Sequence, residues 1–286
     1  FKVKNIDLPQ MNTSYKVSFS IVLYQQDTEE IQHVLHSLLL YEGEKTIYVI
    51  DNSPNDTFSF VTDINDCITY RHMSENVGFG AAHNKAFRMA REYGSKYHFV
   101  VNPDISYDKD VVSPMLAFLE EHEDIGQMMP RILYPDGKKQ YLPKLLPSPY
   151  MLFWRKMKHP LRIHENYMNR FEMRSMLDNR PYDVACVTGC FSAIRTELLE
   201  RTGGYDERFF MYFEDTDLTR RLHAICRTVY YPLVHVKHTY GHGASKHCRL
   251  FFIFISSCLK YFFKWGWFFD SQRRQINQHV LKQIEA

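Results

Sequence analysis

Residues 18–24 read SFSIVLY, a short, apolar, β-branched run, and the apolar residues that follow it recur at three- and four-residue spacing. The recurring residues are Ile31, Val34, Leu35, Leu38 and Leu39. The first pattern predicts a buried strand and the second predicts an amphipathic helix. Further strands are predicted at residues 46–50, 68–70 and 97–101, and a further helix at residues 81–93. Strands that alternate with helices indicate an α/β fold with a mostly parallel central sheet and flanking helices.

The length and composition of the chain favour one large catalytic domain. A chain of 286 residues is long enough to bury a sizeable core. Its formal net charge of +2 gives no sign of a concentrated basic face, so we expect no nucleic acid partner. The six cysteines include no CxxC pair, which favours reduced thiols and argues against a zinc ribbon or a thioredoxin-like site.

Changes in amino-acid composition along the chain predict the boundaries of the domain. Residues 1–15 are interpreted as an N-terminal extension, with Met11 as the expected native start, and residues 16–246 as the catalytic domain. Residues 143–180 are rich in Met, Arg, Tyr and Pro. They predict an insertion that contacts an acceptor substrate, the molecule that would receive a transferred group. Residues 247–286 are predicted to form a helical C-terminal extension that is both aromatic and basic.

Neither a signal peptide nor a membrane span is predicted. The N-terminal residues lack the combination of a basic start, an apolar run and a small-residue cleavage site. The most apolar stretch, residues 250–269, is interrupted by Ser256, Ser257, Lys260 and Lys264, so it falls short of a span of about 20 apolar residues. We therefore expect a cytoplasmic protein.

Polar residues follow two of the predicted strands at the point where each strand ends. Asp51 follows the strand at residues 46–50, and Asn102 and Asp104 follow the strand at residues 97–101. Open α/β sheets bind ligands at the carboxyl ends of their strands. A carboxylate and an amide oxygen can bind a hard cation such as Mg²⁺ or Mn²⁺, which can bridge a pyrophosphate. An ordinary turn remains the alternative, because Asn, Pro and Asp all favour turns.

Three carboxylates lie within four residues at Glu214, Asp215 and Asp217, just ahead of Arg220 and Arg221. Sugar transfer with inversion needs one carboxylate that removes the proton of the acceptor hydroxyl, and this cluster can supply that general base. The alternative is structural. Carboxylates cap helix starts, and Asp217 and Arg221 have the spacing of an i,i+4 ion pair.

Four histidines and two glycines fall within residues 235–247, at His235, His238, His242 and His247. A neutral histidine can join a metal that is held mainly by carboxylate, whereas the alternative is ordinary surface or packing histidines. No HExxH-like spacing favours a zinc site built from these histidines alone.

Residues 78–83, GFGAAH, lack the third glycine of a dinucleotide-binding fingerprint, so NAD is not expected as a cofactor. Gly78 and Gly80 are instead predicted to let the chain pass close to an anionic donor before a helix N-terminus.

Several ordered motifs together resemble the family 2 inverting glycosyltransferases of the GT-A fold, and most closely their rhamnosyltransferase-like branch, which builds bacterial surface polysaccharides. The motifs are SIVLY, VIDNSPND, NVGFGAAHNKA, VVNPDI, the long string from TGCFSAIR to FEDTDLTRRL, and VKHTYGHGAS. They cover roughly residues 16–245.

The resemblance implies roles for individual residues. Asp51 would contact the base of the nucleotide, while Asn102 and Asp104 stand where the family has its DxD motif, with Asn in place of the first Asp. Asp215 would be the catalytic base, and His238 would add a metal or pyrophosphate contact. The remaining candidates are Asn76, Gly78 and Arg221 on the donor side, and Gly189, Cys190 and Glu214 on the acceptor side. For Arg221, a structural pairing with Asp217 is the alternative.

The implied reaction is the metal-dependent transfer of one sugar from a nucleotide diphosphate to a polyprenyl-diphosphate-linked saccharide, with inversion. The expected sugar is rhamnose, and the expected donor is dTDP-rhamnose. The QxxRW motif of processive synthases is absent, which favours addition of a single sugar. The alternatives are a UDP-sugar transferase for galactofuranose or a hexose, a nucleotidyltransferase, whose Gly-rich loop after the first strand is missing, and a non-catalytic nucleotide- or carbohydrate-binding module.

The C-terminal residues 249–274 mix Phe, Trp and Tyr with Lys and Arg, as interfacial helices do. This pattern predicts peripheral association with the inner face of the plasma membrane, where a lipid-linked acceptor lies. The alternatives are helices that pack on the catalytic domain, or a homodimer interface.

Overall fold

The computed structural model describes residues 15–156, 162–239 and 248–285. In chain order the elements are β1 (Lys16–Leu23), α1 (Thr28–Leu39), β2 (Lys45–Asp51), β3 (Ile68–His72), α2 (Phe79–Tyr93), β4 (Ser95–Val101), β5 (Ile105–Ser106), α3 (Val112–Glu121), β6 (Ile125–Leu133), α4 (Pro149–Lys156), α5 (Arg162–Phe171), β7 (Tyr182–Asp183), β8 (Phe191–Arg195), α6 (Thr196–Thr202), α7 (Glu214–Leu222), β9 (Arg227–His238), α8 (Cys248–Trp265) and α9 (Ser271–Glu285). The strands and helices predicted for residues 18–101 are all present, with their ends shifted by a few residues.

One sheet forms the centre of the fold, with the order β3-β2-β1-β4-β8-β6-β9-β5, and β7 pairs with β9. The predicted α/β class is confirmed. The strands from β3 to β4 are parallel, as are β6 and β9, whereas β8 runs antiparallel to both of its neighbours. In the β4–β8 pair, Val101 lies opposite Phe191, so the carboxyl end of β4 meets the amino end of β8.

Helices cover both faces of the sheet. On one face, buried side chains of α1 and α3 pack with Phe19 and Ile21 of β1 in the largest core cluster. On the other face, α2 packs against β2, and α6 and α7 pack against Val100 and Ile194 of the central strands. A strand covered on both faces is expected to be apolar along most of its length, and the buried part of β1 departs from this only at Ser18 and Ser20.

A chain of buried polar side chains interrupts the second face of the sheet. Oγ of Ser20 lies 2.7 Å from Nδ1 of His83 and 2.7 Å from Nε2 of His98, while Oγ of Ser18 lies 2.7 Å from Nδ1 of His98. All four residues are completely buried. Burial lowers the pKa of His98 to about 3 and holds the pKa of His83 well below its usual value, because a charged imidazole cannot be hydrated there.

The predicted insertion, residues 143–180, contains α4 and α5, and residues 157–161 lie outside the described residues. The insertion is fixed to the C-terminal extension through Asn277 of α9. The backbone N–H of Leu146 donates to Oδ1 of Asn277 at 2.8 Å, and Nδ2 of Asn277 donates to the carbonyl of Leu146 at 3.0 Å. These two segments therefore support each other.

The C-terminal extension packs on the catalytic domain, mainly on α7. Arg220 of α7 is almost fully buried, forms an ion pair of 2.6 Å with Asp270, and lies 4.2 Å from the ring centroid of Trp265. Asp217 of α7 accepts from Trp265 Nε1 at 2.7 Å and pairs with Lys264 at 2.6 Å. One face of the extension therefore packs on the catalytic domain, which was one of the alternatives for residues 249–274.

None of the described helices has the length and apolar content needed to cross a bilayer. Five cysteines have described side chains, and no disulfide bond joins any two of them: Cys67, Cys186, Cys190, Cys226 and Cys258.

The buried histidines predict an acid-dependent loss of stability. Because the pKa of His98 is lowered in the folded state, the unfolded chain takes up the proton first, and the free energy of unfolding falls as the pH drops below the ordinary imidazole value. Between about pH 7 and pH 5, His98 alone should cost about 2 kcal/mol. His98→Gln should remove that share of the loss, as measured by urea unfolding at the two pH values.

His36→Gln, at an exposed histidine of α1, is the matched control and should keep the full loss on acidification. If His98→Gln loses as much stability as the wild type between these pH values, His98 is not held neutral in the folded protein.

The buried ion pair predicts a large effect from one change in the C-terminal extension. Asp270→Asn leaves the Arg220 guanidinium buried without its counterion, so the free energy of unfolding should fall by about 3 kcal/mol. Asp124→Asn breaks a pair with Arg227 in which both side chains are about half exposed, and should cost roughly 0–1 kcal/mol. Urea unfolding measures both, and equal losses would show that the extension does not stabilise α7.

Candidate active site

Asn102, Asp104 and His238 come together at the carboxyl end of β4. The pairing of β5 with β9 places Ile105 opposite His238, and the backbone N–H of Thr239 donates to the carbonyl of Asp104 at 3.1 Å. As a result, Oδ1 of Asp104 lies 3.2 Å from Nε2 of His238, and Nδ2 of Asn102 lies 3.5 Å from the same nitrogen. The three residues that the DxD-like motif and the histidine-rich string predicted for one site are therefore neighbours.

This cluster has the chemistry of a site for a divalent cation that the donor completes. No group of three or more His, Cys, Asp or Glu side chains with metal-binding geometry occurs among residues 15–156, 162–239 and 248–285. Asp104 and His238 are the candidate protein ligands in this cluster. Mg²⁺ and Mn²⁺ are commonly held by one or two carboxylates together with substrate phosphates, so a carboxylate beside an imidazole nitrogen fits such an ion.

Asp215, the predicted base, is the second residue of α7 and is partly exposed. Its Oδ2 accepts from the backbone N–H of Gly189 at 3.2 Å, and its Oδ1 accepts from the backbone N–H of Thr216 at 2.6 Å. Burial of the carboxyl group raises the pKa of Asp215, while these two N–H donors and the charge of Lys144 lower it. The carboxylate is therefore fixed in position and made more basic than an exposed aspartate.

The turn that leads into α7 is strained. Tyr212 and Phe213 have φ values of 72° and 69°, in the left-handed region that residues with side chains rarely adopt. Such conformations persist where surrounding contacts hold them, and they concentrate at functional sites. Here α8 supplies the contacts, since Phe213 packs against Phe254 and Tyr261 with ring centroids 5.6 and 5.2 Å apart.

Gly189 and Cys190 connect the base to the cation site. Gly189 donates to Asp215, and the carbonyl of Cys190 accepts from the backbone N–H of Asn102 at 2.8 Å. Burial raises the pKa of the Cys190 thiol to about 12, so Cys190 is not a nucleophile at neutral pH. The two residues predicted for the acceptor side act here through their backbone, which sets the distance between Asp215 and Asn102.

Glu214, predicted for the acceptor side, is buried at the start of α7. It is 6% exposed, and its Cβ would lie 3.6 Å from a methyl group placed on Gly80 of α2. Burial, with a smaller contribution from the charge of Asp215, raises the pKa of Glu214 well above its usual value. The start of α7 therefore packs closely against α2 at this position.

Arg221 has the structural pairing with Asp217 that was left open. Its guanidinium donates to Asp217 Oδ2 at 2.9 Å, to the carbonyl of Thr202 at 2.6 Å and to the carbonyl of Gly204 at 2.7 Å. These bonds hold α7 to the end of α6, and they engage every nitrogen of the guanidinium in the protein interior.

The remaining donor-side candidates lie near the ends of β2 and β3. Asp51 is fully buried, and its carboxylate accepts from the Tyr70 hydroxyl and from the backbone N–H of Ser53, both at 2.8 Å. Asn76 accepts from the backbone N–H of Gly78 at 3.0 Å. A Cβ on Gly78, whose φ is 89°, would lie 2.4 Å from the carbonyl oxygen of Phe210. The backbone of Phe210 therefore approaches this glycine closely.

Two nearby residues carry no motif that would identify them. Lys144, in the insertion, acts electrostatically on Asp215, as the pKa of Asp215 shows. Gln140 lies behind His238, with its Oε1 3.0 Å from Nδ1 of the ring. Both residues lie more than 70 positions from their partners along the chain, so only the fold brings them together. His242 and His247 lie outside the described residues.

An aspartate and a histidine lie at the carboxyl end of a strand, where open α/β sheets bind ligands, beside a carboxylate at the start of a helix. Two solved structures share the fold. The structure of GalNAc-T7 with UDP, GalNAc and Mn²⁺ has a TM-score of 0.57 and 15% identity, over 79% of this chain and 43% of that chain. A mannosyltransferase of Pyrobaculum calidifontis, in complex with GDP-Man and Mn²⁺, has a TM-score of 0.55 and 16% identity, over 81% of this chain and 59% of that chain.

Residues 18–203 match the family model described as Glycosyl transferase family 2, and the chain belongs to that family. The resemblance found in the sequence is thereby confirmed. Among curated proteins, an N-acetylglucosaminyl-diphospho-decaprenol L-rhamnosyltransferase of Mycobacterium tuberculosis is 26% identical over 180 residues. The match covers 60% of this chain and 58% of that protein, so it spans little more than half of the relative's length.

Proposed function

We propose that this glycosyltransferase moves a single sugar from a nucleotide diphosphate donor to a polyprenyl-diphosphate-linked saccharide, with inversion and with Mg²⁺ or Mn²⁺. The expected donor is dTDP-rhamnose. The function of the M. tuberculosis relative supports both the sugar and the lipid-linked acceptor. The Mn²⁺-containing structures of the same fold support a metal-bound donor.

The observation that carries the proposal is the link between the two polar clusters. Asp215 accepts from Gly189, and the next residue, Cys190, accepts from Asn102, so two consecutive peptide units connect the base to the cation site. Inverting transfer needs a base on one side of the sugar and a site for the leaving diphosphate on the other. A short rigid connection between the two sites satisfies that requirement.

In the proposed reaction Asp215 removes the proton of the acceptor hydroxyl. The acceptor oxygen then forms a bond to the anomeric carbon, while the bond from that carbon to the diphosphate oxygen breaks and the diphosphate departs with the electron pair. The N–H groups of Gly189 and Thr216 keep the Asp215 carboxylate oriented through this step. Asp104 and His238 would hold Mg²⁺ or Mn²⁺, whose chemistry is to offset the charge of the leaving diphosphate.

The pH dependence of this reaction follows from the state of Asp215. The base acts only when it is ionised, and burial raises the pKa of its carboxyl group. Transfer is therefore expected to decline on acidification at a higher pH than an exposed aspartate would require.

The choice between dTDP and UDP donors depends on pocket shape near Asp51, which already bonds Tyr70. A nucleobase that contacts Asp51 would share or replace that hydroxyl. The match to glycosyl transferase family 2 favours sugar transfer over nucleotidyl transfer.

The second face of the C-terminal extension supports binding to the inner face of the plasma membrane. Phe252, Phe263, Phe268 and Phe269 are 65%, 76%, 71% and 95% exposed. Arg249, Lys260 and Arg274 are exposed in the same segment. Exposed aromatic side chains beside basic residues are the composition of a surface that enters an anionic bilayer interface. A homodimer through this face is the alternative occupant that the experiment below distinguishes.

Replacing the proposed base should separate chemistry from donor binding. Asp215→Asn retains the shape of the side chain but cannot take the proton, so the transfer rate should fall by about 100-fold or more. Thermal stabilisation by dTDP or UDP with Mn²⁺ should persist in this variant, because the donor site is intact. Asp104→Asn should instead lose the Mn²⁺-dependent stabilisation by the nucleotide.

The matched control is Glu197→Gln, which changes an exposed carboxylate to an amide in the first turn of α6 and should transfer at the wild-type rate. Near-normal transfer by Asp215→Asn would place the base elsewhere. If the wild type is stabilised by nucleotide but transfers no sugar from dTDP-rhamnose or UDP-sugars, the chain is a binding module.

Removing two exposed aromatic residues should weaken membrane binding. The double variant Phe263→Ser and Phe269→Ser should reduce co-sedimentation with phosphatidylglycerol vesicles by about tenfold or more, since part of each ring would be buried in the interface. Leu233→Ser, at a residue of β9 that is 56% exposed, should bind like the wild type. Unchanged vesicle binding, together with loss of a dimer in solution, would assign this face to a second copy.

A further inference from the structure

Gln140 is a buried glutamine that lies directly behind His238, and it is 3% exposed. Its backbone N–H donates to the carbonyl of Ile132 at 2.9 Å, and Leu133 forms an isolated bridge with Lys139 next to it. The end of β6 therefore fixes the backbone of Gln140, and the side chain extends from there toward the end of β9.

The contacts of the Gln140 amide allow only one orientation of its two ends. One end lies 2.8 Å from the carbonyl oxygen of His238 and 3.4 Å from the carbonyl oxygen of Leu133. Backbone carbonyls can only accept, so the NH₂ group must face them. The amide oxygen is then the atom that lies 3.0 Å from Nδ1 of His238.

This orientation determines how the imidazole of His238 carries its proton. An amide oxygen can only accept, so Nδ1 must be the protonated nitrogen, and in the neutral ring Nε2 is then an acceptor. Nε2 faces Oδ1 of Asp104 at 3.2 Å. Two acceptors at that separation repel each other unless a cation or a proton lies between them.

We propose that Gln140 is a positioning residue that holds His238 in the Nδ1–H form, so that Nε2 and the Asp104 carboxylate together present their lone pairs to a divalent cation. This inference rests on the proposed metal-bound donor and adds the residue that orients its histidine ligand. Outer partners of this kind fix the tautomer and the ring orientation of a histidine ligand, and their loss costs about 10- to 100-fold in metal affinity.

The test compares Mn²⁺ binding by the full chain and its Gln140→Met variant. Methionine has a similar volume and retains neither the donor nor the acceptor. The dissociation constant of Mn²⁺, measured by electron paramagnetic resonance in the presence of dTDP or UDP, should rise about 10- to 100-fold. Gln127→Met is the matched control, because Gln127 is equally buried but accepts from Thr219 at 3.0 Å. This control should lose stability without losing Mn²⁺ affinity.

A second measurement needs no metal. Nitrogen-15 spectra of histidine-labelled protein should show His238 as the Nδ1–H tautomer in the wild type and in Gln127→Met, and a shift toward Nε2–H in Gln140→Met. Wild-type Mn²⁺ affinity together with an unchanged tautomer in Gln140→Met would overturn the inference. If Asp104→Asn also binds Mn²⁺ like the wild type, the metal site itself fails, and the proposed function must change along with the inference.

Discussion

The antiparallel pairing of β4 with β8 is the constraint on which the site depends. It places the end of one strand beside the start of the other, with Val101 opposite Phe191. The backbone then continues the pairing into the loops, where Asn102 donates to Cys190. If β8 ran parallel to β4, the amino end of β8 would lie beside the amino end of β4, far from Asn102. A five-residue strand would then separate Gly189 from Asn102 by roughly 17 Å, too far for the base and the cation site to act on one sugar.

Helix α7 connects this site to the rest of the molecule. Its first turn carries Asp215, and its buried side is held by Arg220 and Asp217, which contact Asp270, Trp265 and Lys264 of the C-terminal extension. The strained residues before α7 pack against α8 as well. The extension therefore has two faces with different roles: one fixes the helix that bears the proposed base, and the other exposes aromatic side chains.

The sequence predicted those features that depend on local pattern. Apolar periodicity located the first strands and helices, and the rule that ligands bind at strand ends selected Asp104. The resemblance to family 2 glycosyltransferases added His238 to the same proposed site. Features that depend on distant contacts could not be predicted. The contact of Gln140 with His238 joins residues 98 positions apart along the chain. The close contact of Gly78 with Phe210, 132 positions away, could not be predicted either, because a glycine indicates a close approach without identifying the partner.

The buried pair of Arg220 and Asp270 also orders events during synthesis of the chain. The two residues are 50 positions apart, so at ordinary translation rates Arg220 emerges roughly 3 to 10 seconds before its counterion. Through that interval α7 has a guanidinium that cannot be buried without large cost. The parallel strands and α2 can assemble while the ribosome is still translating, but the helix with the proposed base reaches its final packing only after the start of α9 has emerged. Catalytic competence would thus be acquired late, once the segment with the exposed aromatic residues has also been made.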